Sequence, residues 1–294
     1  MSYKMGKSAL WRVVALALSL ALVMSLAACG SSTDTKSTAT DKAPVTTEKL
    51  ILASTTSTQD SGLFAVLIPA FEKAYPQYKV NVVAVGTGEA LTLGQNKDAD
   101  VLLVHAKAKE IDFVAAGYGT EREDVMYNDF VIVGPSADPA GIKGIASVAD
   151  AFKKIASSKA TFISRGDDSG TNTKEIAIWE AAGVKSSGSW YQSAGQGMGQ
   201  VLTMASEQGA YTLTDRATYI NMKDQLKLDI VVEGDKDLFN QYGVIPVTDA
   251  TNMQGAKDFE TWILGADGQK VIKDFGVEKY GVSLFTPNST ETAQ

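Results

Sequence analysis

The chain has 294 residues, 45% of them hydrophobic, and a formal net charge of −7. This length is enough for two lobes of ordinary domain size or for one large domain. The acidic balance argues against a nucleic-acid partner and against electrostatic docking on anionic lipid.

The first 28 residues have the parts of a secretion signal in their usual order. Lys4, Lys7 and Arg12 precede an apolar stretch over residues 13–23, and small residues follow. The stretch is too short for a comfortable membrane span, which is the alternative interpretation. Leu-Ala-Ala-Cys (26–29) resembles the lipobox of bacterial lipoproteins, in which the cysteine is lipidated and becomes the new N-terminus. An incidental cysteine in a cleaved peptide is the other interpretation of Cys29.

Residues 29–47 are mostly small and polar, so we expect a flexible tether that buries no core. Cys29 is the only cysteine, which rules out an intramolecular disulfide. Without residues 1–28, 24 basic residues face 34 acidic ones, a net charge of −10.

The rest of the chain alternates between short strand-like runs and amphipathic, helix-like segments. Leu63, Leu67 and Phe71 repeat at intervals of four, and Ile176 and Trp179 are three apart, as on a helix face. The pattern predicts an α/β fold with largely parallel sheets and helices on both faces. The predicted strands are Leu50–Thr56, Lys79–Gly86, Ala99–Ala106, Asp129–Pro135, Thr161–Arg165, Ala210–Thr214 and Asp229–Glu233.

Ligands of such sheets bind beyond the carboxyl ends of the strands, where a helix begins. Three of these junctions are rich in glycine and hydroxyl side chains: the first loop (54–62), the Ser-Arg loop (164–171) and the glycine loop (195–200). A helix N-terminus offers unpaired N–H groups and a positive dipole end, which favour an anion. Simple N-capping by Ser, Thr and Asp is the alternative for each junction taken alone.

Arg165 ends an apolar strand immediately before a glycine turn. This is an unusual place for a solvated arginine, so we predict that its guanidinium faces the anion. Asp167 is expected to hold the guanidinium in one orientation. A weak surface ion pair between the two is the alternative.

Catalysis is not expected from this sequence. His105 is the only histidine, so a serine hydrolase would have to use it with a nearby serine. The sequence contains no Gly-x-Ser-x-Gly motif, no phosphate-binding P-loop and no strong metal-ligand spacing, and no cofactor is predicted. His105 closes a strand, and structural and ligand-facing roles both stay open for it. Tyr211, Thr212, Thr214 and Asp215 follow another strand, where a capped turn is favoured over a wall of the site.

Eight segments together resemble the tungstate-binding proteins of ABC importers, among the two-lobed periplasmic binding proteins of type II. The most telling are Ser-Thr-Thr-Ser-Thr-Gln-Asp-Ser-Gly-Leu (54–63) and Ser-Arg-Gly-Asp-Asp-Ser-Gly-Thr (164–171). The other six are the segments 84–88, 98–106, 126–135, 195–199, 210–216 and 275–281. The first loop carries Ser54-Thr55 where a further threonine is common in the family, an exchange that keeps a hydroxyl.

The resemblance implies a binding protein, not an enzyme, that captures tungstate or molybdate between two lobes joined by two crossing hinge strands. Lobe I would hold residues 48–129 and 247–290, and lobe II residues 130–246, with hinges near 130–134 and 243–247. The protein would be a monomer outside the cytoplasm, attached to the membrane only by a lipid on Cys29, and would deliver its ligand to a permease and an ATPase. The ligand-binding side chains implied are Thr56, Ser57, Ser164, Arg165, Ser169 and Thr171, with Thr87 and Thr212 in addition.

Three rival functions stay open. A phosphate-binding protein has a similar Arg-x-Asp-x-Ser-Gly-Thr signature, but protonated phosphate profits from a buried carboxylate that would repel tungstate. Asp60 and Asp167 are the candidates for that carboxylate, although we favour a cap for Asp60 and a partner of Arg165 for Asp167. A secreted serine hydrolase and a ligand-sensing or adhesion lipoprotein are the other rivals.

Overall fold

The computed structural model describes residues 47–289. The predicted signal (1–28), Cys29 and all but the last residue of the predicted tether therefore lie outside the described residues. Between residues 47 and 289, none of the helices is both long and apolar enough to cross a membrane.

Strands and helices alternate along the chain, as the sequence pattern predicts. Ten strands lie in the described residues: β1 (Glu48–Thr55), β2 (Tyr78–Val85), β3 (Val101–Val104), β4 (Glu123–Gly134), β5 (Phe162–Ser164), β6 (Tyr191–Ser193), β7 (Thr212–Asp215), β8 (Asp229–Val232), β9 (Phe239–Pro246) and β10 (Thr286–Pro287). All seven predicted strands are confirmed within a few residues at their ends, apart from β4, which begins six residues earlier than expected. The strands β6, β9 and β10 were not predicted.

The same part of the chain contains eleven α-helices and two short 3-10 helices at Lys223–Gln225 and Lys236–Leu238. The α-helices are α1 (Thr56–Asp60), α2 (Phe64–Ala74), α3 (Thr87–Gln95), α4 (Lys107–Ala115), α5 (Val148–Ser158), α6 (Gly170–Ala181), α7 (Met198–Gln208), α8 (Arg216–Met222), α9 (Met253–Leu264), α10 (Ala266–Asp274) and α11 (Val277–Tyr280).

The sheet pairings are only partly parallel. β1 lies between β2 and β3, and these three strands are parallel. β9 pairs antiparallel with β3 and β4, and β4 also pairs antiparallel with β7, β8 and β10, while β5 and β6 form a separate parallel pair. Five of the eight pairings among the described strands are antiparallel, so the prediction of largely parallel sheets is wrong. Alternation of strands and helices permits parallel pairing through helical crossovers but does not fix which strands pair, and β4 pairs antiparallel with strands much further along the chain.

The long strand β4 connects separate clusters of buried apolar side chains. Val125 and Met126 belong to a cluster with β1, α2 and α9. Further along, Phe130 and Ile132 pack with α5 and α6, while Val131 and Val133 pack with α7 on the opposite face. This alternation follows from the period of two along a strand, and it confirms helices on both faces here.

The predicted helix face is confirmed in α2. Leu63, immediately before the helix, and Leu67 and Phe71 within it are all fully buried. The pairing of Ile176 with Trp179 in α6 was wrong, because Ile176 is 44% exposed while Trp179 is buried. The buried face of α6 runs instead through Glu175, Ile178 and Trp179. The predicted lobe boundaries lie within β4 and at the end of β9, and they stay a prediction.

Four strand-to-helix junctions position the candidate site. β1 passes directly into α1, β2 reaches α3 after one residue, β5 is followed by the Ser-Arg loop and α6, and β7 passes directly into α8. Thr55, Ser169 and Asp215 cap α1, α6 and α8 through their side chains. Caps therefore occur at these junctions as residue preference predicts, and the question is which side chains retain further donors.

Candidate functional site

Arg165 is almost completely buried, at 1% exposure, and links the Ser-Arg loop to the first loop. Its Nη2 donates to Thr56 Oγ1 at 2.7 Å and to Asp167 Oδ2 at 2.6 Å, and its Nε lies 3.2 Å from the same carboxylate oxygen. Its Nη1 is buried and has no hydrogen-bond partner among residues 47–289. Asp167 thus orients the guanidinium as expected, and Nη1 of this buried cation has no acceptor in the part of the chain that the structure describes.

The junction between β2 and α3, formed by Gly86 and the first turn of the helix, also contacts the Ser-Arg loop. Gly170 N donates to Thr87 Oγ1 at 3.1 Å, and Gly88 N donates to the carbonyl of Asp168 at 3.3 Å. A Cβ at Gly86 would lie 2.9 Å from the carbonyl oxygen of Asp167, closer than a side chain tolerates. Glycine is required there because the two backbones approach so closely.

Several predicted ligand-binding hydroxyls accept a hydrogen bond through oxygen and so keep their own hydrogen as a donor. Thr56 accepts from Arg165, Thr87 accepts from Gly170, and Ser169 accepts from Asn172 N at 3.2 Å. The Oγ1 of Thr171, a residue 1% exposed, is buried without any partner in the described part of the chain. Together with Arg165 Nη1, these hydroxyl groups are donors that can still form a hydrogen bond. They lie on three strand-to-helix junctions that contact one another.

Two other predicted residues direct their hydroxyls into the protein. Ser164 Oγ donates to Glu175 Oε2 at 2.5 Å, and Thr212 Oγ1 donates to the carbonyl of Ile163 at 2.7 Å. Glu175 also accepts from Trp179 Nε1 and Tyr191 Oη, each at 2.9 Å, and burial raises the pKa of its carboxyl. Ser164, at the end of β5, and Thr212, at the start of β7, therefore donate their hydroxyl hydrogens to other protein groups. A ligand-binding role for them stays a prediction.

Ser57 lies between two other side chains at the base of the first loop. Its Oγ is 3.0 Å from Thr55 Oγ1 and 3.0 Å from His105 Nε2. His105 is buried, and burial lowers the pKa of its imidazole to about 4, so the ring is neutral at pH 7. His105 thus borders the candidate site through Ser57.

The glycine loop contacts the first loop rather than contributing hydroxyl groups. Asp60 Oδ2 accepts from Gly199 N at 2.9 Å in the first turn of α7, and burial raises the pKa of Asp60. A Cβ at Gly197 would lie 3.4 Å from Thr56. Asp60 therefore caps a helix, which is the role favoured for it from the sequence. The helix is α7, far from Asp60 along the chain.

Asp215 is a buried carboxylate that the sequence did not single out as a proton acceptor. Its Oδ1 accepts from Thr218 N at 2.8 Å, while Oδ2 is buried with no partner within residues 47–289. Burial raises the pKa of Asp215 to about 6, and its electrostatic interactions include Arg165 and Asp60. The site thus has a titratable carboxyl in its electrostatic environment.

The chain matches known families and structures over most of its length. A model of the PBP superfamily domain matches residues 31–267. The tungstate-binding protein TupA of Peptoclostridium acidaminophilum is 55% identical over 248 residues, which cover 82% of this chain and 86% of that protein. This chain belongs to the family of those tungstate-binding proteins.

Solved structures of the tungstate-binding family have the same fold. The tungstate ABC transporter structure from Geobacter sulfurreducens aligns with a TM-score of 0.71 at 52% identity, over 78% of this chain and 99% of that one. The tungstate-binding protein TupA of Desulfovibrio alaskensis G20 aligns with a TM-score of 0.68 at 46% identity, over 82% and 99% of the two chains. The predicted α/β fold of type II periplasmic binding proteins is confirmed.

The position of His105 meets the geometric requirement of the serine hydrolase alternative, since Ser57 Oγ is within hydrogen-bond reach of Nε2. Other features are unsuited to that chemistry. Ser57 is fully buried, a pKa of about 4 makes the imidazole a weak base, and Nδ1 faces the amide of Asn240 instead of a carboxylate. The tungstate-binding family consists of binding proteins, so the expectation that this is not an enzyme is confirmed.

The described residues contain no group of three or more His, Cys, Asp or Glu side chains arranged to hold a metal ion. The donor set of the site consists of hydroxyl groups and a guanidinium, which suit oxyanions and not cations.

Proposed function

We propose that this protein is the substrate-binding subunit of an ABC importer and that it captures tungstate, or the closely similar molybdate, at the meeting point of the first loop and the Ser-Arg loop. One observation carries the proposal: Arg165 Nη1 and Thr171 Oγ1 are buried donors without partners in the described chain. Buried polar groups in native proteins are almost always hydrogen-bonded. A tetrahedral oxyanion would supply the missing acceptors for both.

The energetics of such a site do not require a positively charged protein. The available donors are Arg165 Nη1 and the hydroxyls of Thr56, Thr87, Ser169 and Thr171. Each hydrogen bond to a charged group contributes about 1.5–3 kcal/mol, so such a set gives roughly 7–15 kcal/mol before ordering costs. Nanomolar affinity corresponds to about −12 kcal/mol. Salt screens the repulsion from remote acidic groups over about 8 Å.

The same proposal includes the predicted domains and the site residues of the first loop and the Ser-Arg loop. Lobe I would hold residues 48–129 and 247–290, lobe II residues 130–246, and closure would exclude water from the anion. The hydrogen bond between Arg165 and Thr56, which would join the two lobes, supports this arrangement. The closed form would then deliver the anion to a permease and an ATPase.

The location of the protein follows from its first residues. We infer export by the signal in residues 1–28 and lipidation of Cys29, with residues 29–47 as a tether that lets a monomer reach the permease. The order of charged, apolar and small residues supports this inference.

Calorimetric titration of the chain from residue 48 onward with tungstate, molybdate, sulfate and phosphate, each separately, tests the function. We expect tight binding of tungstate or of both tungstate and molybdate, and weak or no binding of sulfate and phosphate. Tight binding of none of the four anions would contradict the proposal.

Phosphate is the second candidate ligand, because the unpartnered Oδ2 of Asp215 could accept the proton of hydrogen phosphate. The same titrations with Asp215→Asn, at pH 5.5 and pH 8, separate the two candidates. Asparagine keeps the helix cap but cannot accept that proton. For tungstate, we expect wild-type affinity to fall as the pH rises through about 6, where Asp215 gains its charge, and the variant to lose this dependence. Loss of phosphate binding in the variant would instead identify phosphate as the ligand.

A further inference from the structure

The hydrogen bonds of Ser57 continue through a row of buried side chains to the two long strands β4 and β9. His105 Nε2 lies 3.0 Å from Ser57 Oγ, and Nδ1 lies 2.9 Å from Asn240 Oδ1. Asn240 Nδ2 in turn lies 2.7 Å from Asn128 Oδ1. All four residues are buried. If one side chain of this row exchanges its roles of donor and acceptor, its neighbours must exchange theirs as well. Two directions of donation along the row are therefore possible.

The ring of His105 is fixed on several sides. It stacks on Tyr242, with ring centroids 4.7 Å apart and planes at 20°. A Cβ at Gly170 would lie 2.8 Å from both Cε1 and Nδ1 of the ring, so this side admits only a glycine. The imidazole thus has little freedom to turn. What can change is which of its nitrogens carries the proton, together with the orientation of the neighbouring amides.

In one direction of the row, His105 Nδ1–H donates to Asn240 Oδ1, and Nε2 accepts the hydroxyl hydrogen of Ser57. Ser57 then has no hydrogen left for an anion. In this direction Asn128 Nδ2 is also buried without a partner in the described part of the chain.

In the opposite direction, both amides are turned by 180°, which exchanges their oxygen and nitrogen atoms. Asn128 Nδ2 then donates to Asn240 Oδ1, Asn240 Nδ2 donates to His105 Nδ1, and His105 Nε2–H donates to Ser57 Oγ. With Thr55 Oγ1, 3.0 Å away, as the donor of that pair, the hydroxyl hydrogen of Ser57 becomes free to bind an anion. Tyr242 Oη, 3.2 Å from the Asn240 amide, can donate to its oxygen. The buried amino group of Asn128 gains an acceptor, while Asn128 Oδ1 gives up its donor.

We propose that His105 is a positioning residue of the oxyanion site and that, with the anion bound, it is neutral with its proton on Nε2, so that Ser57 donates to the anion. The inference rests on the proposed function, because it concerns the same site. The proposal is supported by the contacts of His105 with Ser57 and Asn240 and by the contact between the buried amides of Asn240 and Asn128. It is also supported by the Asn128 amino group, which has no partner among residues 47–289. The neutral state agrees with burial beside Arg165, which lowers the pKa of His105.

Nitrogen NMR of the imidazole tests the proposal directly, because His105 is the only histidine in the chain. Residues 29–294, labelled with ¹⁵N-histidine, would be saturated with sodium tungstate, and long-range ¹H–¹⁵N spectra would be recorded at pH 7.5. We expect the pattern of a neutral ring protonated at Nε2. A ring protonated at Nδ1, or an imidazolium, in the saturated sample would overturn the proposal.

Calorimetry on the same sample separates this inference from the proposed function. If tungstate does not bind, the proposed function fails and the inference fails with it. If tungstate binds and the ring shows another protonation state, only the inference fails.

Two variants provide an independent readout. His105→Leu removes the neutral donor that holds the Ser57 hydroxyl with its hydrogen toward the anion, and we expect about a three- to tenfold loss of tungstate affinity, as for one hydrogen bond between neutral groups. His105→Gln restores an N–H in a similar position and is expected to recover most of this loss. Wild-type affinity in His105→Leu, or equal losses in the two variants at equal thermal stability, would overturn the proposal.

Discussion

Arg165→Ala is expected to lower the affinity for tungstate at least a hundredfold. The variant removes a buried positive charge at the candidate site, together with the Nη1 donor that has no partner among residues 47–289. It also removes the contact of the guanidinium with Thr56, which joins the two loops. Fold stability should change little, since Arg165 belongs to none of the apolar clusters and Asp167 is exposed enough to be hydrated. Calorimetry and thermal unfolding measure the two effects.

Arg216→Ala is the matched control for that variant. Arg216 is the arginine of a partly exposed network with Asp129 and Glu233, and its side chain is 29% exposed. Removing it deletes the same charge from the protein without touching the first loop or the Ser-Arg loop. Unchanged tungstate binding in Arg165→Ala, or an equal loss in both variants, would contradict the assigned role of Arg165.

Thr171→Val is expected to weaken tungstate binding by roughly ten- to a hundredfold without lowering the stability of the unliganded protein. A donor to a charged group contributes about 1.5–3 kcal/mol, and valine replaces the hydroxyl by a methyl group of similar size. The hydroxyl has no partner in the described residues, so its loss breaks no contact in the folded chain. Replacing an unsatisfied buried polar group by an apolar one is neutral or stabilising. Binding and stability should therefore change independently.

Thr173→Val on the same helix is the control for that substitution. Thr173 Oγ1 is also buried without a partner in the described part of the chain, but Thr173 lines a cavity with His105, Phe239 and Asn240 to which neither Arg165 nor Thr171 contributes. The variant makes the same chemical change in α6 and is expected to bind tungstate as the wild type does. Equal effects of the two valine substitutions would show that Thr171 does not contact the anion.

The strands around the site could be predicted from the sequence because they are short, apolar and followed by hydroxyl or glycine residues. The strand β9 could not. It contains Asn240, Gln241 and Gly243, which are unusual in a buried strand. Their polar groups are satisfied by distant partners: Asn240 contacts His105, and Gln241 donates to the carbonyl of Met126. Local propensity carries no information on such partners, because tertiary contacts decide them.

The candidate site could likewise be predicted from the sequence only in part. The residue types and their positions after strands predicted the glycine- and hydroxyl-rich loops. They also predicted that Asp167 orients the guanidinium of Arg165. The direction of each hydroxyl was not predictable, because it depends on side chains far away in sequence. Ser164 donates to Glu175, and nothing in the sequence distinguishes it from Ser169, which keeps its hydrogen. Likewise, the free oxygen of Asp215 becomes evident only from its burial.

The central claim is that a tetrahedral oxyanion binds where Arg165 Nη1 and Thr171 Oγ1 have no partners among residues 47–289. A crystal structure with tungstate, located by the anomalous scattering of tungsten, tests it most directly. We expect one strong peak, with anion oxygens within about 3.2 Å of both atoms. Tungsten bound elsewhere on the protein, with Arg165 still turned toward Thr56 and Asp167 alone, would contradict the claim.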